Sequence, residues 1–594
     1  MYLTSKNKQM NKLYSTIILA IILSLPFGER FGAAYAQAPN WTWAKSANGT
    51  GNDNATSTST DTAGNVYVTG TYYEASITFG ATTLTNAGGH DIFVVKYDAA
   101  GNVLWAKGAG GASNDEVRSN TTDVAGNVYI TGYYNSISIT FGATTLTNAN
   151  NSTASADVFI VKYDTDGNVV WAKGAINTTN DVGNSATTDA AGNLYVTGSY
   201  YSSITFGTTT LTNAGSIDIF IVKYDAMGNV IWAKGAGGVD DEYSNSLSTD
   251  SLGNIYVTGY YTSASLTFGA STITNLGGQD IFIAKYDASG NALWAKGAGG
   301  AGSDNTNCIS TDASGNVYVS GYYDSPSIIS GATTLTNAGG VDVFIIKYDA
   351  SGNVLWAKRA GGTADERAYS IATDAAGNVY IAGFFLSSSL ILGTTTITNA
   401  GIADIFIIKY DALGNVLWAK GAGGTGVDVC NGISIDVSGN LFVTGYFGNP
   451  SITFGATTLS NTGSNDIFIA KLGAITTAIK ETTFEDGISI YPNPTKDILN
   501  IVCHCGESRT AKQHGAKENT LANNLNLNEI AAFTAITCIS IVDVLGNEVA
   551  TSYISRNTSS PSERLGGASF NIQHLKNGIY FVKVGNEVRK IVKE

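Results

Sequence analysis

One phrase, repeated seven times, limits what this chain can become. Its fullest form is D-x-x-G-N-V-Y-V-T-G, then a connection, then D-I-F-V-V-K-Y-D-x-x-G-N-V-L-W-A-K. The Trp of W-A-K stands at 43, 105, 171, 232, 294, 356 and 418, so successive spacings are 62, 66, 61, 62, 62 and 62. A period of this length makes each repeat one supersecondary unit that buries its faces against its neighbours.

Within a unit, "NVYVTGYY" and "DIFVVKY" are β-branched and aromatic with period-two alternation, which predicts strands. D-x-x-G-N occurs 13 times, seven before the first strand type and six before the W-A-K strand. In such a short loop Asp accepts the turn's own N–H groups, Gly supplies a positive φ, and Asn tolerates the same region. The unit therefore reads as strand A ("SIATD"), turn, strand B ("VYVTG"), a longer connection, strand C ("DIFVVKYD"), turn, strand D ("NVLWAK"). "SITFGATTLTN" forms a further small hairpin in the B–C connection. Four antiparallel strands per repeat predict a β-propeller, in preference to a parallel solenoid with its shorter coils.

The strand count then settles the closure. Strands A and C each occur seven times, but the last strand C, "DIFIAKLGA", has no W-A-K after it. One W-A-K, "WTWAK" at 41–45, precedes every repeat. Placing it beside the last strand C completes seven four-stranded blades and pairs two open edges.

Charge and the first residues set the compartment. The formal net charge is −14, and residues 37–486 hold 18 Lys+Arg against 37 Asp+Glu. An acidic body repels nucleic acid and anionic lipid heads, so neither is expected as a partner. Lys6, Lys8 and Lys12, the apolar "YSTIILAIILSLPFG" and "AYA" ending at Ala36 predict a signal peptide over 1–36. No transmembrane segment is expected in the mature chain.

The repeat unit resembles the bacterial β-propeller repeat (SBBP) family over residues 41–471, which implies a secreted scaffold and no particular reaction. The C-terminal phrases "ISIYPNPTKDILNI", "ISIVDVLGNEV" and "FNIQHLKNGIYFVKVGNEVRKIVKE" resemble the sorting domain of the type IX secretion system of Bacteroidetes. That resemblance implies a small β-sandwich over 488–594, a linker over 474–487, passage across the outer membrane, and the secretion machinery as a partner. Tyr491, Pro492, Asn493 and Pro494 match the opening motif; Gly578, Tyr580, Val582 and Lys583 match the closing one. The insertion at roughly 503–536 departs from the pattern.

Candidate site residues fall into a few sets. Asp53, Asp115, Asp181, Asp241, Asp304, Asp365 and Asp428 follow each W-A-K by seven or eight residues and enter strand A, the innermost strand. Seven carboxylates about one axis would hold a cation such as Ca²⁺ or repel anions, or each would accept the N–H groups of its own Gly-rich loop. Aromatic doublets follow strand B, and alternation aims one ring between blades and the other at the B–C loop. The second rings, Tyr73, Tyr134, Tyr201, Tyr261, Tyr323, Phe385 and Phe447, are the candidates for stacking on a sugar. "DTDGN" at 164–168 opens like a calcium loop, but position 12 is Ala175 where a bidentate acid is required. His90 is the only His of the repeats, and Cys308 and Cys430 lie in units too far apart to bridge. "CHC" at 503–505 suits either a metal or a Cys503–Cys538 bridge.

These residues predict an exported all-β protein, a seven-bladed propeller closed by its N-terminal strand. The expected role is non-catalytic binding or scaffolding, with a glycan or protein ligand at the B–C/D–A end where the loops vary. The alternatives are a glycan-active hydrolase or lyase using axial carboxylates, and a structural or adhesive surface protein.

Overall fold

A computed structural model of the chain describes residues 38–47, 49–175, 177, 179–448 and 450–474, together with seven strands between 488 and 593. The expected signal peptide, the linker from residue 475 and most of the 503–536 insertion lie outside the described residues. The chain forms two compact units, Met1–Ala474 and Ile475–Glu594.

The first unit is a ring of seven four-stranded antiparallel sheets. Blade 1 runs Asn54–Thr60 (strand A), Val66–Tyr72 (B), Asp91–Tyr97 (C) and Val103–Ala109 (D), paired in that order. The next five blades repeat this order, and the A strands of successive blades pack side by side around the axis. Blade 7 takes Asp428–Ile435, Leu441–Gly448 and Asn465–Leu472 from its own repeat, and its fourth strand is Trp41–Ala47. Lys45 pairs with Ile469 and Ala47 with Ile467, so the predicted closure is the one the chain adopts. A small two-stranded sheet rises from every B–C connection, as at Ser76–Phe79 and Thr82–Thr85.

The core lies between blades. One cluster joins Ile92 and Val94 of blade 1 to Val117, Val128 and Phe159 of blade 2. Another joins Ala55, Val68 and Phe93 of blade 1 to Phe442, Ile467 and Ile469 of blade 7. A ring assembled this way has no free apolar face, which is why no single repeat is a domain.

The W-A-K and D-x-x-G-N phrases turn out to be two halves of one contact. Trp105 Nε1 of blade 1 donates to the Thr165 carbonyl in the C–D turn of blade 2 (3.0 Å), and Lys96 Nζ donates to the same oxygen (3.2 Å). Gly167 of that turn, at φ 79°, sits so close that a Cβ would lie 2.8 Å from the Trp105 ring. Only glycine combines this φ with this approach. Lys96 also lies 3.5 Å from Asp61 and over the Tyr67 ring, so its buried ammonium is compensated. The indole-to-turn bond recurs at Trp43, Trp171, Trp232, Trp294 and Trp356. Trp418 is the exception. Blade 7 has no C–D turn, and among the described residues the buried Trp418 Nε1 has no acceptor.

The second unit contains two antiparallel sheets. Ile488–Tyr491, Ile498–Cys503 and Ala568–Asn571 form one; Glu548–Ile554, Thr537–Val542, Gly578–Val584 and Glu587–Lys593 form the other in that order. Tyr491, Gly578, Tyr580 and Lys583 stand on these strands, whereas Pro492, Asn493 and Pro494 lie outside the described residues.

Candidate functional site at the mouth of the ring

Every strand A carries one bulged residue where it enters the ring, because the pairing with strand B skips a position there. The bulge presses strand A onto a glycine of strand B. A Cβ on Gly259 would stand 1.8 Å from the Tyr243 carbonyl, which explains the constant T-G of the repeat, varied only to S-G and A-G. Bulges re-aim side chains beside functional sites. Here the bulged residues are Thr56, Arg118, Asn184, Asn245, Asn307, Tyr369 and Asn431.

Five of these seven stitch neighbouring blades together. Thr56 Oγ1 donates to the Val117 carbonyl, Asn184 to Ser244, Asn245 to Thr306, Asn307 to Ala368 and Asn431 to Ala55. Arg118 and Tyr369 break the pattern. Arg118 pairs with Glu116 at 3.1 Å and covers the Tyr133 ring at 5.3 Å. Tyr369 packs on Phe384, with ring centres 5.7 Å apart. The inner ring is therefore not seven-fold symmetric where it opens to the B–C/D–A end, an asymmetry that the near-identical repeats conceal.

Around the asymmetric stretch runs a continuous arc of aromatic rings. Tyr243 and Tyr260 of blade 4 stack at 5.0 Å. Tyr201 of blade 3 lies within electrostatic range of Tyr243, and Tyr322 of blade 5 within range of Tyr260. The Arg367 guanidinium of blade 6 sits 4.6 Å from the Tyr322 ring centre, and Tyr446 of blade 7 neighbours Tyr369. These rings are half-buried, apart from the exposed Tyr201. Burial pushes the Tyr260 phenol up to about 12, and the same cause raises Tyr243, Tyr369 and Tyr446. Their hydroxyls stay neutral at physiological pH, each able to donate and accept one hydrogen bond.

The predicted aromatic residues divide on this geometry. Tyr73 and Tyr201 are 57% and 42% exposed at the surface, and Tyr73 packs edge-on to His90 at 5.3 Å. Tyr134, Tyr261, Tyr323, Phe385 and Phe447 are buried between blades, each at 0–1% exposure. Alternation counts from the T-G glycine, not from the doublet. In blades 1 and 3 a Thr or Ser follows the glycine and the doublet starts one residue later, so its second ring turns outward only there. In the other blades the first ring faces the mouth: Tyr133, Tyr260, Tyr322, Phe384 and Tyr446.

The acidic set needs the same correction of register. Asp53, Asp115, Asp181, Asp304 and Asp428 begin or directly precede strand A and are buried between blades. In blades 4 and 6 that place belongs to Glu242 and Glu366, while Asp241 and Asp365 stand one residue earlier in the loop. All of these buried carboxylates but Asp53 face local donors: Ser136 Oγ to Asp115 (2.8 Å), Ser325 Oγ to Asp304 (2.9 Å), Asn177 to Asp181, and the Gly238, Gly362 and Gly424 amides to Glu242, Glu366 and Asp428. The D-x-x-G-N aspartates are equally occupied. Asp164 Oδ1 accepts from the Asp166 and Asn168 amides and its Oδ2 from the Asn168 side chain. Among the described residues no three His, Cys, Asp or Glu side chains converge as a metal centre. Cys308 and Cys430 are free and buried.

Comparison with known proteins agrees with the two units. Residues 234–263 match the family described as "Beta-propeller repeat", and residues 519–594 match "Secretion system C-terminal sorting domain". The chain is a seven-bladed β-propeller in which one repeat matches the propeller-repeat family, followed by a region that matches a secretion-system sorting domain. This repeat protein is 26% identical over 473 residues to an uncharacterized WD repeat-containing protein, L264, of Acanthamoeba polyphaga mimivirus, covering 66% of the chain and 34% of that protein. It is 24% identical over 450 residues to the regulatory protein FlaEY of Caulobacter vibrioides, covering 69% and 45%. The chain thus spans less than half the length of either curated relative. Among solved structures it is similar to the Neurospora crassa Pan2 WD40 domain, at 9% identity and TM-score 0.35, over 70% of this chain and 89% of that one. The sorting domain marks the propeller as an exported protein, and no helix among the described residues is long and apolar enough to cross a membrane.

Proposed function

We propose that this propeller is a non-catalytic binding protein, carried to the cell surface or released beyond it, and that its ligand is a glycan lying across the aromatic arc. The observation that carries this reading is the arc itself. Tyr201, Tyr243, Tyr260, Tyr322 and Tyr369 offer rings for the apolar faces of sugars, with hydroxyls beside them for sugar hydroxyls. Arg118 and Arg367 add guanidinium groups to an otherwise acidic body, suited to bidentate contact with an acidic sugar. Five of the seven predicted axial carboxylates, Asp53, Asp115, Asp181, Asp304 and Asp428, lie buried between blades, which favours binding over hydrolysis at this surface.

The test is binding of the full chain to an array of immobilised glycans. Tyr260→Ala and Tyr322→Ala should each weaken binding about tenfold, the cost of one stacking contact of ~1.4 kcal/mol. Leu413→Ala, on an exposed C–D turn at the opposite end, should change nothing. Failure of the wild-type chain to bind any sugar, or binding insensitive to both tyrosine changes, would falsify the proposal.

A further inference from the structure

A difference between blades at one non-signature position points to a second site. Two residues after the buried ring that ends strand B stand Glu74, Ser136, Ser202, Ser263, Ser325, Ser387 and Asn449 in blades 1 to 7. In blades 2 and 5 the serine hydroxyl donates to the buried acid of strand A, at 2.8 Å to Asp115 and 2.9 Å to Asp304. In blade 3 Ser202 joins the same network through Asn177, which donates to Asp181.

Blade 1 puts a carboxylate where its neighbours put that donor. Glu74 lies against Asp53, with the Tyr73 amide turned toward Asp53, and among the described residues none of the four oxygens of the two side chains makes a full hydrogen bond. Asp53 is fully buried, and a third buried acid, Asp466 of blade 7, adds its negative field and has one unpartnered oxygen of its own. Two like charges placed side by side out of water cannot both persist without a counter-charge.

The surroundings are shaped for an ion. The chain beside the pair is glycine: a Cβ on Gly49 would stand 1.3 Å from Glu74 Oε1 and 2.8 Å from Asp53 Oδ2. A Cβ on Gly51 would stand 2.5 Å from Glu74 Oε2. Bare backbone is therefore pressed against the carboxylates, while the Gly49 and Gly51 carbonyls turn the other way to accept from Thr462 Oγ1 and the Ser464 amide. The donor set has oxygen and no nitrogen or sulfur, which selects a hard cation over zinc, and a flexible loop suits Ca²⁺ better than the strict octahedron of Mg²⁺.

We propose that Asp53 and Glu74 bind one Ca²⁺ at the seam where the N-terminal strand closes the ring. The place gives the ion a task. Gly49 to Asp53 connects the closing strand, Trp41–Ala47, to the first strand A, so a cation there fastens the closing strand to blade 1. No other blade has the equivalent acid, and blade 1 is the one whose strand A directly follows the strand that completes blade 7. This inference stands apart from the glycan reading.

Equilibrium dialysis of the full chain against Ca²⁺ alone tests it, with Glu74→Ser as the variant. That change installs the residue that blades 2 to 6 already carry, so folding is preserved. The wild-type chain should hold one more Ca²⁺ than Glu74→Ser, whose affinity at this site falls at least about 100-fold with the loss of a ligand charge. Thermal unfolding in chelator should show Glu74→Ser more stable than wild type, and Ca²⁺ should raise the wild-type midpoint while leaving the variant unmoved. Equal Ca²⁺ content in the two proteins would overturn the proposal and assign a shared proton to the pair instead. So would a wild-type midpoint that does not respond to Ca²⁺.

Discussion

Seven indoles of the same motif, six hydrogen-bonded and one not, provide a controlled perturbation of the ring. Trp171 and Trp418 are the matched pair, buried at 9% and 3% exposure. Trp171 Nε1 donates to the Ala226 carbonyl at 3.3 Å, whereas Trp418 Nε1 has no acceptor among the described residues. Replacing each by Phe removes the N–H and a similar ring edge, so the packing losses are alike. At Trp171 a net hydrogen bond of ~0.5–1.5 kcal/mol goes with it, softened because Lys162 still serves the same carbonyl. At Trp418 the change removes a buried unpaired donor and relieves ~1–3 kcal/mol of desolvation. Trp171→Phe should therefore be the more destabilising by about 2 kcal/mol. Urea unfolding followed by far-UV circular dichroism measures the difference as a shift in midpoint at constant slope. Equal losses at the two positions would refute the latch and the seam defect that follows from the missing turn.

Two further outcomes follow from the same contacts. Deleting residues 41–45 strips the partner from Asn465–Leu472, so the ring should unfold at lower temperature and associate through the open edge; unchanged thermal stability and a monodisperse monomer by light scattering would contradict the closure. The second concerns pH. Burial raises the carboxyls of Asp181 to about 8, of Asp428 to about 7, and of Asp157 to about 6. A folded value above the unfolded 3.8 means the folded state holds the proton longer. Each group's contribution is full below about pH 4 and is lost as pH rises through its folded value. Urea midpoints should fall from about pH 4 to about pH 8, and Asp181→Asn should flatten the upper part of that fall; a midpoint that rises over this window would be inconsistent with these shifts.

Much of the architecture was legible in the residues because it rests on local chemistry. The 13 D-x-x-G-N turns, the period-two strands and the spare W-A-K led to seven blades and the closing strand. The site was less legible, for a physical reason: which way a ring points depends on register, and the bulge in strand A shifts register without leaving a motif. Hence five of the seven chosen rings proved to be core, and their neighbours Tyr133, Tyr260, Tyr322, Phe384 and Tyr446 took the mouth. Asp241 and Asp365 were displaced by Glu242 and Glu366 through the same one-residue ambiguity. Arg118, Tyr369 and Glu74 were missed because each matters only by comparison with equivalent positions, and strand pairing is what defines equivalence. Aligning the repeats on the T-G glycine would have exposed all three.

The reading of the mouth as the ligand surface is tested most directly by hydroxyl-radical footprinting of the full chain, with and without a glycan selected on the array. A glycan at the mouth should protect Tyr201, Tyr243, Tyr260, Tyr322 and Tyr369, with the exposed Leu413 and Met227 of the C–D turns oxidised equally in both states. Protection of those turn residues instead, with the five tyrosines unchanged, would place the ligand at the other end of the ring and contradict it.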